Sequence, residues 1–401
     1  MLIQATEQKQ DVQPYYEIPA QLKPFIFEHT IVSRSPGRIN LIGEHTDYND
    51  GYVLPAAIDK AAYIALTPRV DNEIHLHSID LNDTYTTTVD AIEKTKNSWP
   101  NYILGVVEQF RKKGFDIQGF DAALTADIPM GAGLSSSAAV ECATAMALNE
   151  FFNAKLDKLT LVQMSQKAEH EFAGVQCGIM DQFASMFGKL NHVIRLDCRS
   201  MEYAYEPFNM DGFKVVLFDS NVKHSLGSSE YNVRRSQCEA GVAMVREFYP
   251  EVISLRDVSM QMLDDYVLPN DKLVYQRCKY VVEERDRLLH ACEDLENGDM
   301  EAFGKKMFET HHGLSKLYEV SCPELDFLVT QVQDNPAVLG ARMMGAGFGG
   351  CTINLVKEEA VDELIAKVGK AYHEAIGYDC KAYIAKIENG TGLLKKRVVN
   401  G

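Results

Sequence analysis

The sequence predicts an α+β protein folded as two lobes. Three observations carry that prediction. Strand-like and helix-like segments mix through both halves of the chain instead of segregating. At 401 residues the chain is longer than one compact core sustains. The periodic pattern also loosens at EPFNMDG (206–212) before a new strand begins. The expected division is therefore an N-terminal lobe over residues 1–208 and a C-terminal lobe over residues 209–401.

The elements follow in chain order. From Thr30 to Arg69, β-branched and aromatic runs (NLIG, GYVLPAAI, AAYIALTP) are separated by turn residues and predict hairpins. Asn101–Lys113 has helical periodicity and stops before Gly114. Phe120–Ile128 reads as a strand, Ser136–Phe152 as a helix of small apolar residues, and Leu159–Phe172 as a second helix. HVIRLDC (192–198) is a strand, and KVVLFDS (214–220) opens the second lobe. Charged helices are expected over Tyr231–Phe248, Lys272–Leu295 and about Glu301–Lys316. Strands at CTINLV (351–356) and KAYIAKI (381–387) flank a helix at Glu358–Ala375.

Composition narrows the function. Hydrophobic residues make up 46% and charged residues 24%, which is globular rather than disordered. The 40 Lys+Arg against 57 Asp+Glu leave a net charge of −17, the wrong sign for a nucleic-acid binder that gains affinity from phosphate contacts. The uncharged run from Ile128 to Val140 is rich in Gly and Ser and falls short of the roughly 18 apolar residues of a membrane span. The first twenty residues show no basic stretch followed by an apolar one. The nine cysteines are scattered, with the nearest pair, Cys278 and Cys292, 14 residues apart, so no zinc or CxxC spacing exists. These features predict a soluble cytoplasmic protein with reduced thiols and a small ligand.

Three loops carry chemistry. PMGAGLSSSAA (129–139) lies between a predicted strand and a predicted helix. It is either a tight turn capping a buried helix or an anion cradle, in which backbone N–H groups and the helix N-terminus meet a phosphate. Three consecutive serines exceed what capping needs, and the Lys of a Walker A loop is missing. GAGFGG (345–350) matches GxGxxG but precedes a strand instead of a helix, and neither HRD nor DFG occurs. A glycine-rich hairpin connection fits it. RSPGRINLIGEHTDYNDG (34–51) brings Arg38 and then Glu44, His45 and Asp47 close together. That density suits a metal, a polyhydroxylated ligand, or a plain surface turn. Asp181 opens a helix, as a cap or as a base beside an Arg. Glu169 stands near a helix end, and His170, His311 and His312 show no metal spacing.

In this order the three loops resemble the motifs of the galactokinase, homoserine, mevalonate and phosphomevalonate kinase superfamily (GHMP kinases), and within it the galactokinase family. GRINLIGEHTDYNDGYVLP (37–55) is similar to the galactokinase signature, PMGAGLSSSAA to the phosphate-binding second motif, and GARMMGAGFGGC (340–351) to the third. CGIMDQF (177–183) and SSEYNVRR (228–235) resemble further segments of that family.

The resemblance implies an ATP- and Mg²⁺-dependent kinase acting on galactose, monomeric, with its active site in the cleft between the lobes. It implies Asp181 as catalytic acid–base and Arg38 as its partner. Glu44, His45, Thr46, Asp47, Gly178 and Tyr231 fall at sugar-binding positions. Gly131, Ala132, Gly133, Leu134, Ser135, Ser136 and Ser137 form the ATP phosphate loop, Ser137 and Glu169 the Mg²⁺ positions, and Ser78 a position at the adenine pocket. Third-motif glycines would let that hairpin pack against the phosphate loop. Two alternatives keep the fold: a kinase for N-acetylgalactosamine or arabinose, and a sensor that binds galactose and ATP without turnover.

Overall fold

The computed structural model describes residues 16–129, 131–222 and 227–394, and side chains within residues 227–229 are not described. The reading of the N-terminal residues up to 15, Met130 of the second motif, and the side chains of Ser228 and Ser229 lie outside the described residues.

The first half is a sheet backed by helices. Strands β1 (Ile31–Asn40), β2 (Tyr52–Val53), β3 (Pro55–Pro68), β4 (Glu73–Ser78) and β5 (Asp83–Thr88) lead into helix α1 (Ser98–Lys112). Strand β6 (Phe120–Ala126) feeds helix α2 (Ser136–Phe151), followed by α3 (Lys158–Ala168), α4 (Met180–Phe187), β7 (His192–Asp197) and β8 (Tyr203–Pro207). The second half contains β9 (Phe213–Asp219), α5 (Gly227–Arg246), α6 (Met260–Tyr266), α7 (Lys272–Glu296), α8 (Met300–Gly313), α9 (Pro323–Thr330), β10 (Val338–Met343), β11 (Cys351–Lys357), α10 (Val361–Ile376), β12 (Lys381–Ala385) and β13 (Gly392–Leu393).

Three sheets result. The largest has the order β13-β1-β3-β6-β4-β5, in which only β4 and β6 run parallel. β10-β11-β9-β12 is antiparallel throughout, and β2-β7-β8 forms the third. Residues 392–393, expected in the second lobe, instead pair with Ser33 and Arg34 of β1. Leu288, Phe303 and Ile353 from the second half of the chain also join the same apolar core as Ile39 and Leu104 from the first.

Helix α2 is placed by its small side chains. Ala138, Ala139, Ala143 and Ala147 are fully buried and let the helix lie close on β1 and β3. The Ser33 hydroxyl pins it by donating to the Ala143 carbonyl at 2.6 Å. On the far side, α9 and α10 cover the second sheet through Leu328, Leu364 and Val368. Helices α3 and α8 both stop short of their expected ends. Each widens into one π-turn, Glu169–Ala173 and Leu314–Tyr318, a local expansion that frequently marks functional sites. Among the described residues no helix is long and apolar enough to cross a membrane.

Candidate active site

A cavity of about 380 Å³ opens where motif one, the phosphate loop, the loop before α4 and the third motif converge. Its centre is an ion pair. Arg38, on β1 and 5% exposed, donates from Nε to Asp181 Oδ1 at 2.7 Å and from Nη2 to Oδ2 at 2.8 Å. This bidentate fork fixes both direction and distance. Burial works against the Arg38 charge, but Asp181 outweighs it, with Glu44 and Asp47 adding, so its pKa rises above the ordinary value. Nη1 donates to the Gly133 carbonyl at 2.6 Å, tying the phosphate loop to the same guanidinium. A further bond from the Arg38 amide to the Leu134 carbonyl holds that loop against β1. Position 37 must be glycine for this approach, because a Cβ there would sit 2.7 Å from the Leu134 carbonyl oxygen.

The serines of the loop divide their work. Ser135 precedes α2 with φ 56°, and its hydroxyl makes no cap bond. It donates to Asp181 instead, adding a third donor to that carboxylate. Asp181 itself lies in the first turn of α4, whose N-terminal dipole favours a negative charge. Ser136 and Ser137 face the cavity together with Gly131, Gly133 and Leu134, whereas Ala132 is fully buried and does not line it.

Glu169 begins the π-turn after α3 and reaches the cavity opposite Ser137. Burial raises its pKa, and Asp181 adds to the rise. Hydrogen bonds from Ser137, Cys177 and Gln182 oppose it. Burial likewise keeps the Cys177 thiol protonated, and its S–H points to Glu169 Oε2 at 3.4 Å.

Motif one supplies the other wall. Glu44 is buried, and its Oε1 accepts from Arg342 Nη2 at 3.0 Å and from the Gly345 amide at 2.7 Å. Arg342, fully buried on β10, also donates to the carbonyls of Asn40 and Leu41 and so clamps the third motif onto the first. Among the described residues both of these bonds fall on Oε1, and none is made to Oε2. Asp47 is driven up to about 7, first by burial and then by the charge of Asp181. It presses on Gly178, where an added Cβ would lie 1.7 Å from Asp47 Oδ2.

His45 has less freedom than its sugar-facing position implied. Burial pushes its pKa down to about 4, so the ring is neutral and carries one N–H. Nε2 faces the Ala346 carbonyl at 3.1 Å, which can only accept, so the proton belongs on Nε2. Nδ1 then accepts from the Tyr48 hydroxyl at 2.9 Å, and Tyr48 meets Tyr318 at 2.7 Å. Both ring nitrogens are engaged, and His45 serves to brace the third-motif loop. Tyr231, on α5, packs against His45 and Tyr48 at ring separations of 5.4 and 5.1 Å. Arg234 fixes that helix through the carbonyls of Tyr318 and Glu319.

Besides Ala132, two expected residues are not brought to the cavity. Thr46 is fully buried, and its hydroxyl is spent on the carbonyls of Gly43 and Tyr52, closing the turn that presents Asp47. Ser78 is buried at the end of β4, across from Asp83, and is not among the residues lining the cavity. Conversely, sequence reasoning passed over Arg342, Gln182 and Tyr48. A charged residue inside the apolar strand VLGARM was the available signal for Arg342.

Residues 25–68 match the galactokinase galactose-binding signature, 101–189 the GHMP kinases N terminal domain and 291–374 the GHMP kinases C terminal domain. The chain is 41% identical over 367 residues to a galactokinase of Roseiflexus sp. (strain RS-1), covering 92% of this chain and 93% of that one. It is 42% identical over 362 residues to a galactokinase of Thermotoga petrophila, covering 90% and 99%. The solved structure of Lactococcus lactis galactokinase complexed with galactose superimposes with a TM-score of 0.87 at 35% identity, over 91% of this chain and 95% of that one.

Proposed function

The chain belongs to the galactokinase family of the GHMP kinases, and from that premise we propose the following chemistry for its cleft. The enzyme transfers the γ-phosphoryl group of ATP to the anomeric hydroxyl of α-D-galactose, yielding galactose 1-phosphate and ADP. The relatives do not favour a non-catalytic sensor or a kinase for another sugar. One observation carries the mechanism: the Arg38–Asp181 fork stands between the serine loop and the carboxylates of motif one.

Phosphoryl transfer needs alignment and charge neutralisation more than covalent help from the protein. Asp181 accepts the proton of the sugar hydroxyl as it attacks, oriented by Arg38 and Ser135. Three of the five guanidinium N–H groups are engaged with Asp181 and Gly133, which leaves two to meet charge building on the transferred group. Glu44 Oε2 and the Asp47 carboxylate accept sugar hydroxyls, Tyr231 walls the pocket, and His45 holds the third motif in place. A site built on such acceptors rejects sugars that leave them unpaired.

Backbone amides of residues 131–137 and the α2 dipole receive the triphosphate. Mg²⁺ would be held by the Ser137 hydroxyl and the Glu169 carboxylate, and would there supply neutralisation of phosphate charge. These oxygen donors fit a hard cation that keeps water and phosphate in its shell. Among the described residues no group of three His, Cys, Asp or Glu side chains is placed to hold a metal unaided. The nine unpaired cysteines support the cytoplasm. ADP release measured across a panel of sugars tests the reading. Galactose should be preferred, and Asp181→Ala should abolish release; full activity in that variant would sink the assignment of Asp181.

A further inference from the structure

Helix α2 carries a carboxyl group that this chemistry leaves unused. Glu141 lies one helical turn beyond Ser137 on the same face of α2 and is fully buried. Its Oε2 accepts from Gln182 Nε2 at 3.1 Å, while its Oε1 has no partner. The same Gln182 nitrogen donates to Glu169 Oε2 at 2.7 Å. Gln182 is itself fully buried, and its carbonyl oxygen is unpartnered too. Three elements therefore meet at one amide: α2 with Ser137 and Glu141, the π-turn with Glu169, and α4 with Asp181.

The chemistry of the three groups is complementary. An amide has two N–H bonds on one nitrogen, enough to hold two carboxyl groups at once. Unlike Lys or Arg, it orients Glu169 without cancelling the negative charge a cation needs. Glu141 forms no ion pair among the described residues, and a charged carboxylate sealed from water without a cation is costly. Burial, followed by the charge of Glu169, raises its pKa well above the carboxylate range. The Glu141 Oε1 and the Gln182 carbonyl oxygen are both buried and without a partner among the described residues, so the Nε2 bond is what joins the two side chains.

We propose that Gln182, anchored from behind by the carboxyl group of Glu141, is the positioning residue that aims Glu169 into the cavity beside Ser137. The inference rests on the assignment of Ser137 and Glu169 to Mg²⁺, and it adds two residues that touch neither substrate. Partners that orient a metal-binding carboxylate typically contribute about 10- to 100-fold in metal affinity.

The test uses Mn²⁺ as the probe. Free Mn²⁺ is counted by electron paramagnetic resonance in the presence of ADP, without turnover, and steady-state constants are measured alongside. Gln182→Met keeps the volume and removes the N–H donors. It should weaken Mn²⁺·ADP binding at least about tenfold and raise the KM for MgATP similarly, with the galactose KM within about twofold. Glu141→Met should do the same, and Glu141→Gln, a neutral isostere, should stay within about threefold of the parent. The two Glu141 variants carry the test even if Gln182→Met does not fold. Equal losses in Glu141→Gln and Glu141→Met overturn the proposal, as does parental binding in both Met variants. Glu169→Gln separates the two levels. If it binds Mn²⁺·ADP like the parent, the metal assignment falls and takes this proposal with it. If it loses binding while the Met variants do not, only the positioning role is refuted.

Discussion

Gly178→Ala isolates the contact between the loop before α4 and motif one. Gly178 is not in the left-handed region, so alanine brings no backbone strain of its own. The cost is local: the new Cβ would stand 1.7 Å from Asp47 Oδ2, where real contacts do not fall below 3.0 Å. The carboxylate must retreat by about 1.3 Å, the difference between those distances, which is enough to break a hydrogen bond to a sugar hydroxyl. A hydrogen bond to a charged group contributes about 1.5–3 kcal/mol. The galactose KM should therefore rise roughly 10- to 150-fold, at 1.4 kcal/mol per decade. The KM for MgATP should change less than about twofold, because among the described residues no hydrogen bond joins Asp47 to the phosphate loop. Coupled-enzyme kinetics at saturating ATP, together with a thermal melt to verify folding, measure this. A galactose KM within twofold of the parent, in a folded protein, would refute the role given to Asp47.

Further outcomes follow from the same geometry. Asp47 is raised to about 7, chiefly by burial, and galactose should prefer its ionised form. The galactose KM should then climb as pH falls below 7, approaching tenfold per unit, and calorimetry near pH 6.5 should show proton release on binding. His45, lowered to about 4, should add no inflection between about pH 5 and 9. A KM that falls on acidification contradicts the Asp47 assignment. Ser135→Ala removes one donor from Asp181 but leaves the Arg38 fork, so kcat should drop about tenfold, near 1.4 kcal/mol, with substrate KM values nearly unchanged. Arg342→Met strands the buried Glu44 carboxylate with the Gly345 amide. It should cost about 3–5 kcal/mol, read as a melting temperature about 4–6 °C lower.

Much of this architecture is legible in local sequence signals. The helices and the strands of motif one have strong periodicity, and the starts of α2 and α4 carry the serines and Asp181 that mark them. What escaped depends on contacts distant in sequence. Strand β10, VLGARM, is broken as a pattern by Gly340 and Arg342. Arg342 becomes tolerable there only because the carbonyls of Asn40 and Leu41 arrive from the other half of the chain. The β4–β5 hairpin hides behind EIHLHS and DTYTTT, which are polar on one face, and its parallel pairing with β6 has no local signature. Residue roles shifted for the same reason. Nothing within motif one announces that Ala346 and Tyr48 occupy both nitrogens of His45, or that the hydroxyl of Ser135 leaves its own helix for Asp181. Glu141 did leave a trace, as a lone acid in the apolar run AAVECATAMAL, but only Gln182 gives it a meaning.

The central claim is that Asp181 and Arg38 direct a phosphoryl group onto the anomeric oxygen of galactose. Phosphorus NMR of a mixture of the protein, galactose and MgATP tests it directly. The expected spectrum gains one phosphomonoester signal coupled to the anomeric proton, growing in step with ADP. A signal coupled to another sugar position, or ADP formed without any sugar phosphate, would contradict it.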